Sequence, residues 1–354
     1  MNGYHPSFRR RAIRIFFYLS KALGLFHIAR RLTRRRIRVL CYHGFSLVDE
    51  HRFLPGLFMK PETFAQRMKY LADKQYPVIP LDDAVEQLDT GNFPDFATVI
   101  TIDDGFFSVY KIGRPMLMKY EFTATLYLTT YYAVKQSPIF GLLVNYLFWL
   151  APNGLRFEPA RLDIPPLNER GVIMLDARSR AELGEMISVY GETQCSETER
   201  QSLGRQLAQL LGIDYDAIVA SRVLRLINCS EAKNLEESGI SIELHSHRHR
   251  FPINTIEATN EIVANRDVIE EMTGQRARHF CYPSGEWSRE HWPILEDLGV
   301  RSATTCVSRL ASPGTPRYAI PRILDDTRVS QIEFEAEMSG FVDLIRDFRA
   351  RLHT

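Results

Sequence analysis

Cysteine is sparse in this chain, and what there is does not pair. The five residues Cys41, Cys195, Cys229, Cys281 and Cys306 are odd in number and scattered, with no C-x-x-C spacing. That argues against a disulfide framework or a zinc ribbon and fits a reducing compartment. Long hydrophobic runs are missing as well: no stretch reaches the roughly 18 uninterrupted apolar residues of a membrane-spanning helix. There is no internal repeat and no low-complexity segment. Net charge is almost absent, at +1 over 354 residues. Length and a hydrophobic content of 45% suit one large α/β domain or two smaller ones.

The small net charge hides an asymmetry. Residues 1–38 hold eleven Lys/Arg and no Asp or Glu, whereas the rest of the chain has 33 basic against 43 acidic residues. A basic arm on an acidic body points to an anionic partner for the arm alone, and no nucleic-acid partner is expected. From Ala12 to Leu32 the polar positions Arg14, Lys21, Gly24, His27, Arg31 and Arg34 recur at helical spacing. Ile13, Phe16, Phe17, Leu19, Leu23, Phe26 and Ile28 share the other face. The pattern predicts one cationic amphipathic helix. It either lies in the interface of an anionic membrane or packs on the body with its arginines in solvent. A signal peptide fits less well, because Lys21 interrupts the apolar region and no small-x-small cleavage site follows. The expected location is cytoplasmic, peripheral at the inner membrane surface, with export left open.

Downstream, strand-like and helical stretches alternate, the pattern of a parallel α/β architecture. Strands are predicted at 36–42, 77–80, 97–102, 124–129, 240–244, 277–282, 302–306 and 318–323. Helices are predicted at 61–74, 81–88, 112–120, 230–238, 255–273 and 289–298. The alternation lapses between about 131 and 230, which reads as a long insertion with polar helices near 179–189 and 198–211. Its aromatics Tyr146, Phe148 and Trp149 read as insertion core, with sugar stacking as the alternative. The organisation is therefore an arm over 1–37, a catalytic body over 38–330 interrupted by the insertion, and one C-terminal amphipathic helix over 331–354.

Four polar clusters stand at the ends of predicted parallel strands: Tyr42-His43, Asp103-Asp104, His245 with His249, and Pro283-Ser284-Gly285. In a β/α barrel those ends converge on one face. An acidic pair and a spaced histidine pair supply an O,N,N metal site with a spare carboxylate beside it, which is the equipment for activating a water. Adjacent aspartates cannot both point inward from a regular strand, so one must lie just past the strand end, where the two can take different roles.

These strings resemble the polysaccharide deacetylases with the NodB homology domain, carbohydrate esterase family 4. The family's T-F-D-D-G is T-I-D-D-G at 101–105 here, and its H-[S/T]-x-x-H is His245-Ser246-His247-Arg248-His249. Its R-x-P-Y-G corresponds to Cys281-Tyr282-Pro283-Ser284-Gly285. The upstream Tyr42-His43 strand and the Phe64 helix match one of its subgroups. The resemblance spans about Arg38 to Asp326 outside the insertion. It implies a deformed (β/α) barrel and a divalent metal held by Asp104, His245 and His249. Zn²⁺ is the simplest choice, with Co²⁺ or Ni²⁺ compatible. It implies Asp103 as the general base toward the attacking water and an N-acetylated glycan, a polymer or a lipid-linked intermediate, as substrate. It also implies the backbone N–H of Ser284 as an oxyanion donor, while Ser246 buttresses the loop and His247 is a bystander.

Three departures shape the rest. Cys281 stands where many members carry an arginine that orients the base, and Arg322 is the candidate replacement. The late motif with a histidine general acid has no counterpart, and His43 is the candidate for that role, since protonating a leaving amine calls for an acid near neutral pH. The usual fourth motif, which walls the substrate side, is also missing. The same residues would serve a deformylase or a carbohydrate O-acetyl esterase, and a catalytically inactive carbohydrate-binding relic is a third expectation.

Overall fold

The structure, a computed structural model, describes residues 8–352. Seven parallel strands form its centre: β1 (Arg38–Tyr42), β2 (Thr98–Ile102), β3 (Ala124–Leu128), β4 (Ile240–Leu244), β5 (His279–Cys281), β6 (Ser302–Thr304) and β7 (Ile323–Leu324), in the order β6-β5-β4-β3-β2-β1-β7. The sheet curls until its two ends meet. Thr304 of β6 bridges in parallel to Ile320, three residues before Ile323 pairs with Leu40 of β1. This is the expected deformed barrel. The predicted strand at 318–323 is split by that double duty, serving β6 at one end and β1 at the other.

β1, β2 and β3 are buried at every residue, as expected of strands covered on both faces. Their period of two sorts side chains into two cores. Leu40, Tyr42, Ile100 and Ile102 join the larger core. Val39, Val99, Tyr127 and Cys281 form a smaller one with Leu81 and Ala84 of the helix Leu81–Glu86. Asp103 continues the second register, with Val99 and Thr101, so its carboxylate enters the barrel instead of facing the outer helices.

Two expected helices are broken. The arm is not one helix but two, α1 (Phe8–Ala22) and α2 (Leu25–Leu32), bent by 79°. Gly24 between them adopts φ 77°, a left-handed conformation that a continuing helix does not accept. The C-terminal helix likewise divides into Gln331–Met338 and Phe341–Leu352 around Gly340, also at φ 77°. The segment at 77–80 is reduced to a single bridge from Val78 to Thr98, because the prolines at 77 and 80 withhold ladder donors. The insertion folds as helices Phe140–Leu150, Ala177–Gln194 and Glu197–Leu211 with a small antiparallel pair, Arg156–Phe157 and Ile173–Met174. Tyr146 and Phe148 are buried in it, and Trp149 stacks on Tyr146 at 5.6 Å, so these aromatics are core.

Candidate active site

The adjacent aspartates separate because the strand ends between them. Asp103 is the last residue in strand register, and Asp104 turns out of it at φ 70° into the D-D-G turn. Gly105 (φ 93°) follows at a point where a Cβ would run into Leu128. Burial alone would raise the Asp103 pKa, but Arg322 overrides it and holds the carboxyl well below the usual range. Arg322 is fully buried and bidentate, donating from Nη1 to Oδ1 at 2.7 Å and from Nη2 to Oδ2 at 2.8 Å. Its Nε donates to the Thr305 carbonyl at 2.9 Å and its Nη1 to Thr101 Oγ1 at 3.1 Å. Arg322 reaches Asp103 because Cys281 is small: the Cys281 Sγ lies 3.4 Å from Asp103 Oδ2 and 3.3 Å from Arg322 Nη2.

Asp104 belongs to a different group. Its Oδ1 lies 3.3 Å from His245 Nε2 and 3.4 Å from His249 Nε2. Around one tetrahedral ion with ligand distances of about 2.0–2.1 Å, donor atoms sit about 3.3–3.4 Å apart. Both edges from Asp104 match that spacing, and the three donor atoms lie within 4.8 Å of one another, so the side chains fit a single divalent ion. The tautomer suits it too, since His245 Nδ1 lies 2.9 Å from the Cys281 carbonyl, which accepts its N–H and leaves Nε2 for a metal. Burial works against the charge on Asp104, but the adjoining His245 and His249 lower its pKa overall.

The H-S-H-R-H loop is held from several sides. The Ser246 hydroxyl accepts from the Arg250 N–H at 2.9 Å, the buttressing expected of it. Glu261, on the helix Thr255–Thr273, accepts from the Arg248 N–H at 2.7 Å. Asn265 of the same helix accepts from the His245 N–H at 2.9 Å and donates to the Leu128 carbonyl. His247 faces Thr130 Oγ1 at 2.9 Å and stands outside the Asp104 group.

His43 comes to the same place from β1, its Nε2 3.8 Å from Asp103 Oδ2 and its side chain 28% exposed. One cluster thus gathers Asp103, Asp104, His245, His249, His43 and Arg322. Ser284 is not joined to it by any hydrogen bond or ion pair. It sits in the turn Pro283–Gly285 after β5, at φ 57°.

A cavity of about 590 Å³ opens on the Asp104 and His249 side. The insertion builds one wall with Tyr131, Tyr132, Glu192 and Arg200, while Leu57 and Phe106 come from the body. Burial raises the pKa of Glu192. Sequence reasoning passed over these wall residues, and over Asn265, whose only signal was a polar residue in the middle of a helix. It also missed Cys41, whose thiol lies 3.7 Å from Asp103 Oδ2.

Residues 218–303 match the family model for polysaccharide deacetylase. No curated protein matches the chain in sequence. Among solved structures, the Streptococcus pyogenes deacetylase PplD in complex with acetate is similar at TM-score 0.57 and 16% identity, covering 86% of this chain and 98% of that one. IcaB from Ammonifex degensii follows at 0.54 and 15%, covering 86% and 97%. A de-N-acetylase from Aggregatibacter actinomycetemcomitans stands at 0.53 and 14%, covering 85% and 99%. At these identities the structural likeness is one of fold. The family match spans the second and third of the motifs that carried the resemblance, His245–His249 and Cys281–Gly285.

Proposed function

We propose that this chain, a homologue of the polysaccharide deacetylases by its match over residues 218–303, removes an N-acetyl group from an amino sugar in a polysaccharide or a lipid-linked glycan. Such deacetylases are hydrolases that act on the amide bonds of N-acetylated sugars. The observation that carries the reading is the Asp104–His245–His249 triangle, whose two edges from Asp104 have tetrahedral length, beside a carboxylate that takes no part in it. The triangle would hold a divalent metal, Zn²⁺ by its O,N,N donor set, which when bound acidifies a water and polarises the acetyl carbonyl.

The chain's own residues supply the rest. Asp103 accepts the proton of the attacking water. Its bidentate bond with Arg322 fixes the carboxylate plane and keeps it ionised, so it is ready as a base at neutral pH. His43, whose Nε2 lies 3.8 Å from Asp103 Oδ2, donates the proton that the departing amine needs. The backbone N–H of Ser284 is assigned as an oxyanion donor, on the motif alone. The cavity beside Asp104 receives the sugar, with Tyr131 and Tyr132 of the insertion as its aromatic wall.

Acetate release from a panel of N-acetylated glycans, O-acetylated glycans and N-formylated sugars, run with metal analysis, tests this function. Metal uptake with acetate release from the N-acetylated members is expected. Turnover of only the ester or the formyl substrates would replace the proposed function with an esterase or a deformylase. Absence of both metal and turnover would leave a carbohydrate-binding relic.

A further inference from the structure

We infer that the outer face of the N-terminal helix pair, continued by the last helix, docks on an anionic lipid bilayer. α1 is turned the opposite way from a helix that faces water. Two of its charged side chains reach toward the body: Arg14 pairs with Glu333 at 3.1 Å, and Lys21 pairs with Glu335. Its apolar side chains point out. Ile15, Phe16, Tyr18, Leu19 and Leu23 are between 49% and 75% exposed. Among its described apolar side chains only Phe17 is buried, against Phe26 of α2 and Phe341 of the last helix.

The exposed apolar surface does not stop at α1. Ile28 and Leu32 extend it along α2, and Phe348 and Leu352, both more than 60% exposed, extend it along the helix Phe341–Leu352. An apolar groove lined by Leu25, Ile28, Leu344 and Phe348 joins these two helices. A continuous apolar face of this kind marks an interaction site.

Charge decides between the partners. Residues 8–36 contain ten Lys/Arg and no acidic residue; Arg14, Lys21, Arg34, Arg35 and Arg36 pair with acids of the body, while Arg11 and Arg31 are exposed beside the apolar side chains. A second copy of the chain would set this positive surface against itself, whereas an anionic bilayer offers both acyl chains and negative headgroups. No single described helix is long and apolar enough to cross a membrane; α1 and α2 reach that length and composition only as a pair, and they are bent by 79° and packed on the body. The pair therefore lies in the plane of the interface.

The test is flotation of the purified full chain with vesicles of phosphatidylglycerol and phosphatidylcholine, against vesicles of phosphatidylcholine alone. The chain is expected to float with the anionic vesicles and to be partly released as salt rises. The outward triple variant Phe16→Ser, Leu19→Ser, Leu23→Ser should partition at least about tenfold less, because each lost side chain removes apolar contact with the bilayer. The variant Arg11→Glu, Arg31→Glu should lose the preference for anionic over neutral vesicles. Metal uptake, read on the same samples, reports that both variants are folded. Failure of the full chain to float, or equal flotation of the triple variant, would overturn the inference. A dimer in solution that the triple variant dissociates, with no vesicle binding, would assign the face to a second copy and also overturn it. None of these readouts depends on catalytic activity.

Discussion

The mouth of the barrel and the N-terminal arm depart from the ordinary inside–outside distribution of residues in opposite directions. At the mouth, Asp103, Arg322, Asp104 and His245 are all less than 8% exposed. In the arm, large apolar side chains stand in solvent while Arg14 and Lys21 turn to the body. Buried charge is tolerable only when every group has a partner in good geometry. The mouth meets that condition through the bidentate Arg322–Asp103 pair and the triangle that would close on a metal. Exposed apolar surface is tolerable when something covers it. At the mouth, Asp103 and Arg322 are partners within the chain and the triangle has room for a single ion, whereas the arm calls for an extended surface from outside. Strict geometry at one and broad chemistry at the other follow from that difference.

The comparison can be broken most severely at Asp104. Asp104→Ala removes one corner of the metal triangle and leaves two histidines. Metal content should fall to background, and acetate release should fall with it, by more than about 10³-fold. Full metal occupancy in this variant would contradict the ligand assignment. A smaller effect is expected at His43, where loss of a general acid typically removes about 10²–10⁴-fold in rate. His43→Ala should therefore lower kcat with metal content unchanged, and a kcat equal to wild type would take His43 out of the mechanism.

At the seam between arm and body, Gly340→Ala meets two obstacles. The backbone is left-handed there, and the new Cβ would run into Thr33, which is itself bonded to the buried Arg38. A loss of about 1–3 kcal/mol is expected, read as a lowered thermal midpoint. An unchanged midpoint would mean that the arm is not fixed to the body at this point. The mildest effect concerns pH. His279, buried at the start of β5, donates from Nε2 to Asp82 Oδ1 and faces the Ser302 hydroxyl with Nδ1, and burial pushes its pKa down to about 4. The unfolded chain binds this proton more readily than the folded one between that value and the ordinary 6.5. The contribution of neutral His279 to stability is thus complete above pH 6.5 and lost as pH falls toward 4. His279→Gln should flatten the stability–pH curve in that window, and an unchanged curve would assign the acid sensitivity to other groups.

Much of this architecture was legible because strand ends leave a strong local trace. A β-branched run followed by D-D-G, or by H-S-H-R-H, fixes both the strand and the residue that leaves it. The barrel and the convergence of Asp103 and Asp104 with His245 and His249 could be read from those strings, and the Arg322 contact to Asp103 from the arginine missing at Cys281. The helix breaks at Gly24 and Gly340 were harder, since an isolated glycine in an amphipathic pattern is tolerated as often as it terminates. The orientation of α1 was not legible at all. Its periodicity shows that two faces exist, but only the acids Glu333 and Glu335, more than 300 residues away, decide which one turns inward. The cavity wall of the insertion was hidden for the same reason, because Tyr131, Glu192 and Arg200 converge only through the packing of separate helices.

The central claim, that two neighbouring aspartates divide into a metal ligand and a base, is tested most directly by Asp103→Asn. The amide keeps an oxygen for Arg322 to bond and leaves the Asp104–His245–His249 triangle untouched. Measured side by side with wild type, the variant should hold the same amount of metal while acetate release from an N-acetylated glycan falls by about 10²–10⁴-fold. Equal metal with undiminished acetate release would show that Asp103 is not the base, and the division of roles would be wrong.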